Sequence, residues 1–184
     1  GVLYNTAFYK SLNYSLAEHV FYEDQEYATV PFSFAETIRF VEEELYVYRV
    51  GDVNQSVSAA SQVKRLPDLD KVIFKVLEAE KSFDKMPAGG KEHFIRKTSG
   101  IITSYYQIAL IKNTDRKNGR SIVEAFNSRL AKESALMYDT VQRKYKVFMI
   151  FNKFHMSNKF YENQFSKILE FFKKTGGVEK LYRK

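Results

Sequence analysis

The sequence predicts a mainly α protein, in which a short α/β piece over residues 1–62 leads into a basic helical region of four or five helices over residues 63–184. Three observations point there. From about Lys64 onward, apolar residues recur at helical spacing. Before that point, two short stretches rich in β-branched and aromatic residues read as strands. The charge also divides at the same place. Residues 1–60 hold three basic residues (Lys10, Arg39, Arg49) against nine acidic ones, a net of −6, whereas residues 61–184 hold 26 basic and 13 acidic residues, a net of +13. So sharp a split suggests two modules with different surroundings.

In chain order, Glu26–Ala35 (EYATVPFSFA) reads as a short amphipathic helix, with Pro31 limiting its regularity. Thr37–Val41 (TIRFV) and Leu45–Val50 (LYVYRV) read as two strands, joined by the acidic turn Glu42–Glu44. Gly51–Ser61 is a loop by its Gly, Asp, Asn and Ser content. Pro67–Phe83 is the first long helix: Pro67 and Asp68 suit its start, and Leu69, Val72, Ile73, Val76, Leu77 and Phe83 form its stripe. Met86–Gly90 (MPAGG) breaks the chain. A second long helix spans Lys91–Lys112, with Gly100 its weak point, and Asn113–Gly119 is a polar turn. A third spans Ser121–Lys144, opened by Ser121 and Glu124 at capping-box spacing. Lys146–Lys174 supplies one or two more, and Thr175–Gly177 ends them.

Composition excludes several classes. At 45% hydrophobic and 16% aromatic residues the chain is globular, not disordered. With no cysteine it has neither disulfides nor a thiolate metal site. No apolar run approaches the roughly 20 residues that span a bilayer, and the opening GVLYNTAFYK lacks the basic and apolar regions of a signal peptide. Two strands and one helix bury too little apolar surface to stand alone, so residues 1–60 are expected to be the end of a larger α/β domain. The chain contains no Gly-rich phosphate loop, Ser-His-Asp arrangement or Cys/His zinc pattern. His19, His93 and His155 are scattered, and only His19, five residues before Asp24, lies near a candidate site.

The most informative stretch is Phe21–Val30 (FYEDQEYATV), where Glu23, Asp24 and Glu26 sit among aromatics. One reading is electrostatic: acids favour the first turn of a helix through its dipole. The other is catalytic: an acid beside another acid, in partly apolar surroundings, has a raised pKa and is a stronger base.

FYED (Phe21–Asp24), then LYVYRV (Leu45–Val50), then GDVNQSVS (Gly51–Ser58), in that order and spacing, resembles the latter part of family 2 glycosyltransferases. The opening VLYNTAFYKSL (Val2–Leu12) resembles the acceptor-side segment that precedes the acidic pair. The likeness covers roughly residues 1–60. In that family an acidic pair opens a helix beneath the sugar donor, a strand carries Tyr-x-Tyr-Arg, and a Gly-x-x-x-Gln-Ser-Val loop marks a bacterial subgroup making cell-envelope polysaccharides. The resemblance implies a GT-A remnant in residues 1–62, with Asp24 as catalytic base, Glu23 orienting the acceptor or supporting Asp24, and Arg49, Gln55 and Ser56 binding substrate at the donor diphosphate. It implies an inverting transfer from a nucleotide-sugar donor to a polysaccharide or glycolipid acceptor. It further implies a cytoplasmic site, peripheral at the inner face of the cell membrane, and a divalent metal (Mg²⁺ or Mn²⁺) held by an upstream Asp-x-Asp motif. The chain departs from the pattern twice. It lacks the nucleotide-binding front half, so alone it is not expected to transfer sugar. Asp52 also stands where members often carry Arg, so that position supplies no cation to the loop.

The basic region 63–184 suits an anionic membrane surface or an anionic glycan. The alternatives from other classes are a nucleic-acid-binding module and a helical interaction or oligomerisation domain, the latter implying a homo-oligomer. No helix-turn-helix or aromatic-basic RNA signature supports the former.

Overall fold

The computed structural model describes residues 1–43, 47, 58–161 and 163, and these are mainly helical, with no strand among them. The helices are α1 (Thr6–Ser11), α2 (Glu23–Phe34), α3 (Ala59–Lys64), α4 (Leu66–Leu77), α5 (Ala88–Gln107), α6 (Arg116–Glu133) and α7 (Ala135–Lys153). A 3₁₀ segment, Glu78–Lys85, continues α4, and a π turn, Ile108–Lys112, ends α5.

The helix expected at Glu26–Ala35 begins at Glu23 and runs to Phe34 with Pro31 inside it. Proline has no N–H to donate to the carbonyl four residues back. That carbonyl belongs to Tyr27, and the Tyr4 hydroxyl donates to it at 2.8 Å. The helix therefore passes the proline with its backbone satisfied, and the N-terminal segment is tied to α2. Tyr4, Tyr9 and Tyr27 pack ring to ring around this bond.

The strand expected at Thr37–Val41 is absent: the segment is irregular, with Ile38 67% and Phe40 90% exposed. A strand needs a hydrogen-bonded neighbour, and none occurs among the described residues. The second expected strand, Leu45–Val50, lies outside the described residues except for Val47. The end of the expected loop Gly51–Ser61 is instead the start of α3, because the Ser58 side chain accepts from the Ser61 N–H and caps it.

Two buried clusters hold the helices together. The larger joins α4, α5, the π turn, α6 and α7 through residues such as Ile73, Ile102, Tyr106, Leu110, Val123, Leu130 and Met137. The smaller joins α2 to α4 and α5 through Val30, Val76 and Phe94. The pair Gly89–Gly90, expected to break the chain, lies in the first turn of α5. A Cβ on Gly90 would stand 1.9 Å from the Ser33 carbonyl oxygen, so the glycine lets α5 close on α2. Gly119 does the same for α6 against the Ala109 carbonyl, at 2.1 Å.

The helix expected to span Ser121–Lys144 is two helices. Ser121 is inside α6, whose cap is Asp115, accepting from the Asn118 N–H at 2.9 Å. The chain breaks at Ser134 (φ −149°, ψ 97°), which caps α7 through the Met137 N–H and donates to Glu80 at 2.6 Å. The π turn frees backbone groups from the helical ladder. Its Leu110 carbonyl accepts from Asn152 at 2.8 Å and from Arg116. Arg120 holds the other end of the Asn152 amide at 2.6 Å.

Candidate functional site

The first turn of α2 carries all three carboxylates, and it treats them differently. Glu23 and Asp24 are exposed, whereas Glu26 is fully buried. Glu26 accepts from the Tyr14 hydroxyl at 2.8 Å and from the Ala17 N–H at 3.2 Å. Burial holds its carboxyl above the ordinary value, opposed by those two hydrogen bonds and by nearby Lys75. Burial and the Glu26 carboxylate drive the Tyr14 phenol far above its usual range. The expected apolar surround thus falls on Glu26 and not on Asp24. Glu26 fixes the loop preceding α2 to the helix, and the acidic pair beside it faces solvent on an anchored turn.

The entry to α2 is strained. Tyr22 occupies the left-handed region (φ 74°, ψ 17°), and no side chain caps the helix. Its ring packs against the larger core cluster. Beside it, Arg65, at the junction of α3 and α4, lies over the Phe21 ring, 3.5 Å from the centroid. Burial raises the Tyr22 phenol's pKa and the Arg65 charge opposes that rise. The Tyr22 hydroxyl and Arg65 Nη1 are both buried with no hydrogen-bond partner. A guanidinium and an aromatic ring thus meet at the start of a helix whose first turn carries two exposed acids. Sequence reasoning singled out Glu23 and Asp24 there and missed Arg65, whose only signal was its place in the basic stretch following the loop.

Gln25 Nε2 donates to Asp24 Oδ2 at 3.1 Å and orients that carboxylate. Arg49, Gln55 and Ser56 lie outside the described residues. His19 is exposed in a left-handed turn (φ 56°). His93 is structural: its Nε2 donates to the Ala28 carbonyl at 3.1 Å and its ring stacks on Phe32 at 4.2 Å. Among the described residues, no group of three or more His, Asp or Glu side chains is placed to hold a metal ion.

A shallow groove of about 620 Å³ lies beside α2, between the N-terminal segment 1–4 and the irregular segment 37–41, with Phe32 on its wall. Leu3, Ile38, Phe40 and Val41 are exposed around it. No helix among the described residues is long and apolar enough to cross a membrane.

Family models, curated proteins and solved structures all give no match to this chain.

Proposed function

We propose that this chain is the acceptor-side end of an inverting family 2 glycosyltransferase of the GT-A fold, with Asp24 as its base. The observation that carries the reading is the contrast within one helical turn. Glu26 is buried and hydrogen-bonded, so it anchors the turn, and Glu23 and Asp24 project from it into solvent. A base must reach its substrate and be held in position, and Asp24 meets both needs.

In the proposed reaction the acceptor hydroxyl oxygen bonds to the anomeric carbon as its proton passes to Asp24. The bond from that carbon to the diphosphate breaks, and its electron pair leaves with the nucleoside diphosphate. Glu23 orients the acceptor, a polysaccharide or glycolipid of cell-envelope synthesis. Arg49, Gln55 and Ser56 bind the departing diphosphate of the nucleotide-sugar donor. A divalent metal, held by a motif upstream of this chain, would neutralise charge on that leaving group. The nucleotide-binding half is proposed to pack on the apolar groove beside α2, where residues 37–41 would gain the neighbour a strand needs.

The test is nucleoside diphosphate release by a protein that carries the nucleotide-binding half, with a panel of sugar nucleotides. Asp24→Asn is expected to lower kcat by about 10²–10⁴-fold, the usual loss for a general base, with an unchanged melting temperature. An active Asp24→Asn variant removes Asp24 from the role.

A further inference from the structure

The outer face of α7 is built unlike the rest of the helical region. Val147, Ile150 and Phe154, the last of them at the cap, are 42%, 50% and 73% exposed. At helical spacing they share a face with Arg143, and Lys146 and Lys153 line one edge of it. The buried residues Met137, Val141, Phe148 and Asn152 lie roughly 140° round the helix, so the apolar row points away from the core. From Thr140 to Tyr161 the sequence holds five cations (Arg143, Lys144, Lys146, Lys153 and Lys159) and no carboxylate. The nearest acid on this face is Asp139, one turn before Arg143. The end of the row is held in place. Arg116 Nη2 donates to the Met156 carbonyl at 2.9 Å, and the Met156 N–H donates to Phe151 at 3.0 Å. Tyr161 then packs on Phe148 and Phe151, with Lys159 and Phe160 exposed.

We infer that this face of α7 docks on an anionic lipid bilayer. Cations beside exposed apolar side chains match the headgroup–acyl boundary, where the apolar row inserts and the cations meet lipid phosphates. Two other occupants fit worse. Of the row only Phe154 is aromatic, and aliphatic Val147 and Ile150 cannot extend it into the run of stacking platforms that successive nucleic-acid bases need. In a twofold pairing of two copies through this face, the cations would face one another. The inference stands on the surface of α7 alone and does not depend on the catalytic reading.

The test is flotation of the full chain with vesicles of phosphatidylcholine alone and with phosphatidylglycerol added. Binding is expected only to the anionic vesicles and is expected to weaken as salt rises. Reversal of Arg143, Lys146 and Lys153 to Glu is expected to weaken it by more than about tenfold. Ile150→Ser with Phe154→Ser is expected to weaken it as well, and all five positions are exposed, so circular dichroism should show an unchanged fold. Four outcomes overturn the inference. These are binding to neither vesicle, equal binding to both, binding that survives both sets of substitutions, and self-association in sedimentation that Ile150→Ser and Phe154→Ser abolish.

Discussion

Glu26 shows how three neighbouring carboxylates acquire different work. The sequence places Glu23, Asp24 and Glu26 within four positions, and helical geometry turns the last of them inward. Burial raises its pKa from the ordinary 4.5, so the folded state holds that proton more tightly than the unfolded chain does. The associated stability is present below 4.5 and is lost as pH climbs through the folded value. Glu26→Gln removes this component, so melting temperature is expected to fall less steeply above pH 4.5 in the variant than in the parent. Identical slopes would show that Glu26 titrates as it does in the unfolded chain. Tyr4 permits an independent check. Its phenol, pushed up to about 12 chiefly by burial, donates to the carbonyl that Pro31 leaves free. Tyr4→Phe is expected to cost about 1 kcal/mol in denaturant unfolding, and no change would mean that water replaces the hydroxyl. The three acids were visible in the sequence. Which one is buried was not, because that depends on Tyr14 and Ala17, contributed by a loop with no periodic pattern.

Among the elements, helical periodicity located the apolar stripe of α4 and the body of α5 well, since both bury a regular face. It failed where a single polar residue decides the path. Ser134 divides α6 from α7 with neither glycine nor proline beside it, and its capping bond to Met137 supplies what the periodicity of 121–144 conceals. The glycines misled in the opposite sense. Gly90 looks like a breaker but serves close packing, whereas Gly100 is exposed, with open space where a Cβ would stand. Gly90→Ala is therefore expected to destabilise by about 1–3 kcal/mol through overpacking. Gly100→Ala is expected to stabilise by about 0.8–1 kcal/mol through helix propensity. Denaturant melts of the two variants check both signs, and equal effects would contradict the packing of α5 on α2. The strand reading of Thr37–Val41 rested on residue type alone, and β-branched and aromatic residues form a strand only when a neighbour accepts their backbone.

Across the whole molecule, the acidic residues 1–60 and the basic residues 61–184 meet around α2, which shares a buried cluster with α4 and α5. One end of this arrangement carries exposed carboxylates on a fixed turn, and α7 carries an exposed cationic and apolar face. The enzyme proposed above, extending an envelope glycan, would use the carboxylates on its acceptor and the face of α7 on a lipid surface. The role of the acidic pair is decided by acceptor-dependent nucleoside diphosphate release, compared between the protein carrying the nucleotide-binding half and its Asp24→Asn and Glu26→Gln variants. Asp24→Asn is expected to lose nearly all turnover at full stability, while Glu26→Gln keeps turnover and changes the pH dependence of unfolding. Turnover that survives in Asp24→Asn, or a parent that releases no nucleotide from any donor with divalent metal and acceptor present, removes the acidic pair from the chemistry.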